Sequence, residues 1–530
     1  MKKKLYTDCK IFTSDISNPY ADSMLVSEGK IERVGHCADI ECECEKISLH
    51  GRRVIPGLID SHMHPTVLAK YSRQISALPP NVYSISNLQR EIRLRREKQG
   101  ACKWIEGWGY DEGKLEEGRA PNRYDLDKAC QDAPVSILRT CTHIRSVNSK
   151  ALEIAGIDKN TPDPPGGVIG RDANGEPNGI LYENACFLFT EKIPSPTYDE
   201  YTTYIADLSK LLSSQGITGV CDMGALTEGF YYPYYIDAIK KGWRQKTAMY
   251  LMWDYFKDKP DFDITDEQFD KNNQIFIAGL KLISDGSVSG KTAWMEKPYP
   301  GTDECGLSVC PDDEIESALE FCRAHSCVLA VHAMGTKAIR MILTKTASDN
   351  PWTKDLPYLR LEHVTEPNLI DIKKAAEKNV YISTQPIFLY SEIESYIKNL
   401  GMERIKHCYP YKTMLSNNVK LSLSTDAPAT SWADPSNPFV CIKGAVTRKA
   451  YDGTDCGLDE SIDVETALRL YTINGAEIAG FKDRGMLKEG YFADFVVLDE
   501  DILKIPADEI DKIKPVMTFI DGECVYCNEK

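Results

Sequence analysis

Two histidines two residues apart, His62 and His64, close the run VIPGLIDSHMHP at residues 54–65. At the end of an extended segment this spacing sends both imidazoles to the same side, an arrangement that suits a divalent metal such as zinc. On its own an HxH pair reads first as surface or capping histidines, so its meaning comes from its company. His332 ends the run CVLAVHAMG, His363 ends LRLEHVT and Asp426 ends VKLSLSTDAP. Each of these alone reads as a hydrogen-bonded strand-end residue. Together, four imidazoles and one carboxylate at the ends of apolar runs form a metal-ligating set. Lys281, inside the apolar run IFIAGLKLISDG, adds a sixth candidate. A lysine there costs free energy unless it is paired or uncharged. Two readings stand side by side: neutralisation by Asp285 at the same strand end, or a neutral amine that captures CO₂. The resulting carbamate would be an anionic ligand able to bridge two metals.

Such side chains need a scaffold that gathers strand ends. The runs ITGVCDMG, IFIAGLKLISDG, CVLAVHAMG, LRLEHVT, VYISTQPIF and VKLSLSTDAP are short and apolar, with helical stretches such as DDEIESALEFCRAH and EPNLIDIKKAAEKN between them. Strands alternating with helices of this length predict βα units and a parallel sheet. Polar residues at the carboxyl ends of successive strands mark the active face of an α/β fold of the (β/α)8 TIM-barrel type. Residues 1–56 and 485–530 read instead as short strands broken by turns. The stretch from about 66 to 210, which includes WIEGWGYDEGKLEEGRAP and TPDPPGGVIGRDANGEPNG, breaks the barrel rhythm. It is expected to be a large insertion lying over the mouth of a barrel spanning residues 57–484.

Composition narrows the function classes. The chain of 530 residues carries 63 Lys+Arg against 79 Asp+Glu, a formal charge of −16. Nucleic acids and anionic membranes call for clustered positive charge, so neither is expected as a partner. No window of about 18 apolar residues is present to span a bilayer. After Met1-Lys2-Lys3-Lys4 comes LYTDCKIFTSD, which is no apolar signal-peptide core. A cytoplasmic location is the expectation. The 18 cysteines are scattered, as free thiols in a reducing compartment would be. Cys42-x-Cys44 and Cys524-x-x-Cys527 are the close pairs, and a structural zinc site would need two such pairs to meet.

The segments VIPGLIDSHMHP, GWGYDEG, THIRSVNSKAL, GLKLISDGSVSGKTA, AVHAMGTKAI, RLEHV, LSTDAP and LYTINGAEIAG resemble the amidohydrolase superfamily, and within it the amidohydrolase-3 or YtcJ-like branch. The resemblance runs from about residue 50 to residue 500. It implies that His62, His64, His332, His363 and Asp426 are metal-site residues, with Lys281 as a bridging, carboxylated lysine. It also implies that the two β-rich ends, 1–56 and 485–530, pair into one small β-sandwich beside the barrel. Zinc is the first metal expected, as one or two ions per chain.

The chemistry that follows is hydrolysis of a non-peptide C–N bond in a small molecule: an N-acyl, N-formyl or cyclic amide. Metal-activated hydroxide would attack the carbonyl, with Asp426 as general base passing the proton to the leaving nitrogen. Two alternatives stay open, a deaminase of the same superfamily and a non-catalytic, metal-binding regulatory protein. His143 is a candidate substrate contact or a loop histidine bonded to backbone. Trp108 and Tyr110, in GWGYDEG, either line the substrate pocket or pack the insertion. A homodimer is the default assembly.

Overall fold

The run that leads into His62 and His64 is the first strand of a parallel barrel. A computed structural model describes residues 3–36, 40, 43–140, 143–189, 192–225, 229–259 and 262–528. We label the barrel strands β1 (Leu58–Met63), β2 (Ile217–Asp222), β3 (Lys246–Met252), β4 (Ile275–Ile283), β5 (Val328–Ala333), β6 (Leu359–His363), β7 (Tyr381–Thr384) and β8 (Lys420–Leu423). They hydrogen-bond in sequence order, every pair parallel, and helices such as Asp312–His325, Thr336–Lys345 and Leu369–Glu377 cross between them. Apolar residues dominate these strands because a parallel sheet covered by helices is buried on both faces. At Gly279 in β4, a Cβ would lie 1.9 Å from the Val328 carbonyl oxygen of β5, so the close approach of these strands requires glycine. The fold is the (β/α)8 barrel that the alternation of runs predicts.

Between β1 and β8 no ladder runs among the described residues. Individual contacts close the barrel there instead. The amide of Asp426 donates to the His62 carbonyl at 2.8 Å, and the amide of His64 donates to the Ala427 carbonyl at 2.8 Å. Lower down, the Ser61 hydroxyl lies 2.8 Å from those of both Ser383 and Ser422. Asp60 accepts the Thr425 hydroxyl at 2.6 Å and the amides of Thr425 and His62 at 3.2 Å each. The seam is held at the level of the candidate metal ligands.

The two ends of the chain build one eight-stranded sheet. Strand Phe495–Leu498 lies between Pro515–Ile520 and Glu45–Pro56, and Lys4–Phe12 continues the sheet on the other side of Glu45–Pro56. Tyr6, Ile11, Met24, Val54, Phe495, Val497 and Phe519 share its core. Barrel and terminal sheet belong to one compact unit.

Residues 67–204, with 431–435, form a second compact unit. Its six-stranded sheet runs from Gly167–Arg171 through Pro177–Glu183, Ile144–Val147, Val135–Arg139 and Ile105–Tyr110 to Ile75–Ser76. Helix Ile85–Gln99 packs Leu88 and Ile92 into a core with Val135 and Ile137. The stretch read as an insertion thus has an interior of its own.

Of the cysteine pairs, Cys42 lies outside the described residues, and Cys524 and Cys527 are exposed, the Cys524 thiol donating to the Tyr526 carbonyl at 3.2 Å. No helix among the described residues is long and apolar enough to cross a membrane. In the terminal sheet, Phe495 is fully buried and stacks on Phe519 with ring centroids 4.1 Å apart. Phe495→Ala is expected to destabilise the protein by about 3–5 kcal/mol. Denaturant unfolding would show it, and a loss below 1 kcal/mol would contradict this packing.

Candidate metal centre

His62 and His64 leave the end of β1 on the same side, as their spacing requires. Their Nε2 atoms lie 3.3 and 3.2 Å from Asp426 Oδ1. The three potential ligand atoms lie within 4.8 Å of one another. Asp426 Oδ1 is buried and has no hydrogen bond among the described residues. Three buried potential ligand atoms therefore converge, the arrangement expected where a cation belongs.

His363 joins the cluster by a backbone device. Alternation along β6 places Arg360 and Glu362 on the barrel interior and would turn His363 outward. His363 has φ +74° and Val364 φ +51°, which break the regular alternation while the chain continues beside β5, the amides of Val364 and Thr365 donating to the Ala333 and Met334 carbonyls at 3.1 Å each. The His363 ring lies 4.8 Å from that of His62 and 4.4 Å from that of His332. Asp426, after β8, uses the same region at φ +58°. Two candidate ligands thus sit in sparsely populated backbone conformations, as residues at functional sites often do.

The partners of the imidazoles fix which nitrogen is bare. His64 Nδ1 faces the Gly224 carbonyl at 2.7 Å, so it carries the proton. His363 Nδ1 faces Gln385 Oε1 at 2.7 Å. That amide is oriented because its nitrogen donates to Ser424 Oγ and the Ser383 carbonyl. His62 Nδ1 faces the Glu362 carboxylate at 2.5 Å. These three histidines present Nε2. His332 is turned the other way, with Nε2 donating to the Gly286 carbonyl at 3.1 Å, and presents Nδ1.

The charge states of His332, His363 and Asp426 agree with ligation, whereas the Asp426 carboxylate favours a protonated His64 that a cation would have to deprotonate. Burial, followed by the nearby Lys281, brings His332 down to about 4. Burial and the neighbouring His332 and His62 hold His363 well below its ordinary range. Burial works against a charged His64, but Asp426 outweighs it and holds that imidazole above its usual value. Burial alone would push Asp426 up; His62, His64 and His363 outweigh it and keep the carboxylate ionised.

Lys281 is 3% exposed, and its Nζ has no hydrogen bond among the described residues. Burial brings it down to about 8, against the pull of Glu362 and Asp426. The ion pair with Asp285, one of the two sequence readings, does not form. The Asp285 carboxylate instead accepts the amides of Trp294, Met334 and Gly335 at 2.8, 3.0 and 2.8 Å. A buried amine left without a partner beside neutral imidazoles fits a site that also takes a divalent ion.

The remaining candidates lie in the second unit. His143 is exposed and pairs with Glu183 at 3.1 Å. Trp108 packs on Tyr71 with ring centroids 4.9 Å apart. Tyr110 is fully buried in that unit's core and accepts the Ser146 hydroxyl at 3.1 Å. Packing accounts for the positions of both aromatic residues. Sequence reasoning missed Arg360, Glu362 and Gln385. The first two carried a signal, since charges at i and i+2 in the apolar strand LRLEH are anomalous for the same reason as Lys281.

Comparison with known proteins gives consistent results. The sequence model for the amidohydrolase family matches residues 45–526. The Bacillus subtilis (strain 168) protein YtcJ, named as an amidohydrolase, is 29% identical over 532 residues, spanning 97% of this chain and 98% of that protein. N-substituted formamide deformylase of Arthrobacter pascens is 26% identical over 555 residues, spanning 99% and 98%. Among solved structures, an uncharacterized metal-dependent hydrolase from Pyrococcus horikoshii OT3 superposes with a TM-score of 0.72 at 25% identity, spanning 95% of this chain and 99% of that one.

The isolated amine makes a stability prediction. Replacing Lys281 by methionine removes a buried polar group that has no partner while keeping a chain of similar length. In metal-free protein, Lys281→Met is expected to melt at the wild-type temperature or above it. A drop of several degrees in thermal unfolding would show that the amine has a stabilising partner.

Proposed function

Because the chain belongs to the amidohydrolase family, we propose that it hydrolyses a non-peptide C–N bond of a small molecule, with N-formyl and N-acyl amides first and cyclic amides second. The observation that carries this reading is the convergence of His62 Nε2, His64 Nε2 and Asp426 Oδ1 in one buried cluster. The likeness to N-substituted formamide deformylase along nearly the whole of both chains supports placing formamides at the head of the substrate class.

His62, His64 and Asp426 would hold a divalent ion, zinc first, with His332, His363 and Lys281 completing the site for a second. The ion's contribution when bound is Lewis acidity toward a carbonyl and acidification of water toward a pKa of about 7. The chain supplies the rest. Asp426, ionised and buried, takes the proton of the attacking water on a carboxylate oxygen and delivers it to the leaving nitrogen. His332 and His363, kept neutral by burial, offer lone pairs instead of repelling a cation. The Lys281 amine, brought down to about 8, is nucleophilic enough to add to CO₂. Its nitrogen would form a bond to the carbon and release a proton to solvent, and the resulting carbamate would offer anionic oxygen ligands to the site.

The test is turnover of a panel of N-formyl, N-acyl and cyclic amides by protein loaded with Zn²⁺ or Mn²⁺, alongside metal analysis. Asp426→Asn is expected to lower kcat by roughly 10²–10⁴-fold, the share general acid–base catalysis usually supplies. Its melting temperature in the metal-free form should stay near wild type. Near-normal kcat in that variant would remove Asp426 as the base. Bound metal with no turnover of any panel member would overturn the hydrolase reading.

A further inference from the structure

Arg360 and Glu362 are both fully buried in the barrel, where β6 carries them side by side. Arg360 Nε donates to Glu362 Oε1 at 2.5 Å and Nη2 to Glu362 Oε2 at 3.0 Å. A buried ion pair is a poor device for stability, because desolvation offsets the attraction and apolar residues of equal volume do as well or better. Its contacts point to a different use. Glu362 Oε2 also meets His62 Nδ1 at 2.5 Å. Arg360 Nη2 donates to the carbonyl of Ser61, the preceding residue, at 2.6 Å. The pair therefore grips β1 twice, once by the main chain and once by an imidazole. From the other side, Arg360 Nη1 is fixed by the Tyr250 hydroxyl of β3 at 3.2 Å and by Cys221 Sγ of β2 at 3.6 Å. One guanidinium thus links four strands around a single imidazole.

We propose that Arg360 and Glu362 are positioning residues of the metal site: the pair holds the His62 proton on Nδ1 and aims its bare Nε2 into the cluster with His64 and Asp426. This rests on the metal-centre reading of those three residues. Arg360 does the orienting of the carboxylate, and the carboxylate does the orienting of the imidazole. An amide at position 362 would reverse the effect. Its oxygen would go to the guanidinium, which only donates, and its NH₂ would face His62 Nδ1. That would move the imidazole proton to Nε2, where a cation must bind.

The experiment measures Zn²⁺ affinity of the full chain by competition with a chelator, and the visible absorption bands of the Co²⁺-loaded protein. The variants are Glu362→Gln and the apolar pair Arg360→Met/Glu362→Leu. Each is expected to fold, by near-ultraviolet circular dichroism, and to bind Zn²⁺ about 10–100-fold more weakly than wild type, with altered Co²⁺ bands. A purely structural pair would change the melting temperature and leave affinity and bands alone. A folded variant with wild-type affinity and spectrum overturns the proposal. If neither variant folds, the pair belongs to the fold and the proposal is again overturned. Wild-type protein that binds no Zn²⁺ overturns the metal-centre reading itself, a result distinct from either of these.

Discussion

A barrel of eight parallel strands must close between its first and last strands, and in this protein that closure is not a ladder. The main-chain bonds across the seam are those of Asp426 to His62 and of His64 to Ala427. Asp60 and Ser61 supply the side-chain contacts beneath them. The residues that join β1 to β8 are thus the ones that present Nε2 and Oδ1, or their immediate neighbours. Site geometry and barrel closure become one constraint: moving β8 relative to β1 moves Asp426 relative to both histidines. A cation held by both strands would tie the seam where the backbone does not, so ligand binding and closure reinforce each other.

Electrostatics follows from the same enclosure. Inside the barrel burial penalises charge, and each ionisable group is expected to find a partner or become neutral. Arg360 and Glu362 find each other, His332 and His363 stay uncharged, and Asp285 takes three amides. Lys281 does none of these by hydrogen bonding. It shares that isolation with Asp426 Oδ1 of the candidate metal cluster.

Much of this was legible in the sequence. The apolar runs between helical stretches identify the barrel, because a parallel sheet buried on both faces leaves a continuous hydrophobic signal. The convergence of His62, His64 and Asp426 follows once their runs are placed as strands of one barrel, since the carboxyl ends of such strands share a face. Other features left weaker traces. The break in alternation at His363 depends on positive φ values at two successive residues, and neither histidine nor valine announces such a conformation. The charge pair in LRLEH is visible as a pattern, yet its link to His62 depends on distances across the barrel that no local spacing encodes. The stretch from about 66 to 210 reads as an interruption of the barrel because its strands are short and rich in turns. Their sheet mixes parallel and antiparallel neighbours, a topology without a simple period.

The terminal sheet has a bearing on how the chain reaches this state during synthesis. Strand Glu45–Pro56, which runs directly into β1, has Lys4–Phe12 on one side and Phe495–Leu498 on the other. Its first neighbour leaves the ribosome at once, and its second only after the whole barrel has been translated. Until then that edge is open and lined with buried-type residues such as Val54 and Ile55, a template for pairing with another nascent chain. Pairings this distant in sequence are slow to form. The protein therefore spends its synthesis with an adhesive edge next to the strand that leads into its first two candidate ligands, and its yield in a cell will depend on how well that edge is shielded until the last strands arrive.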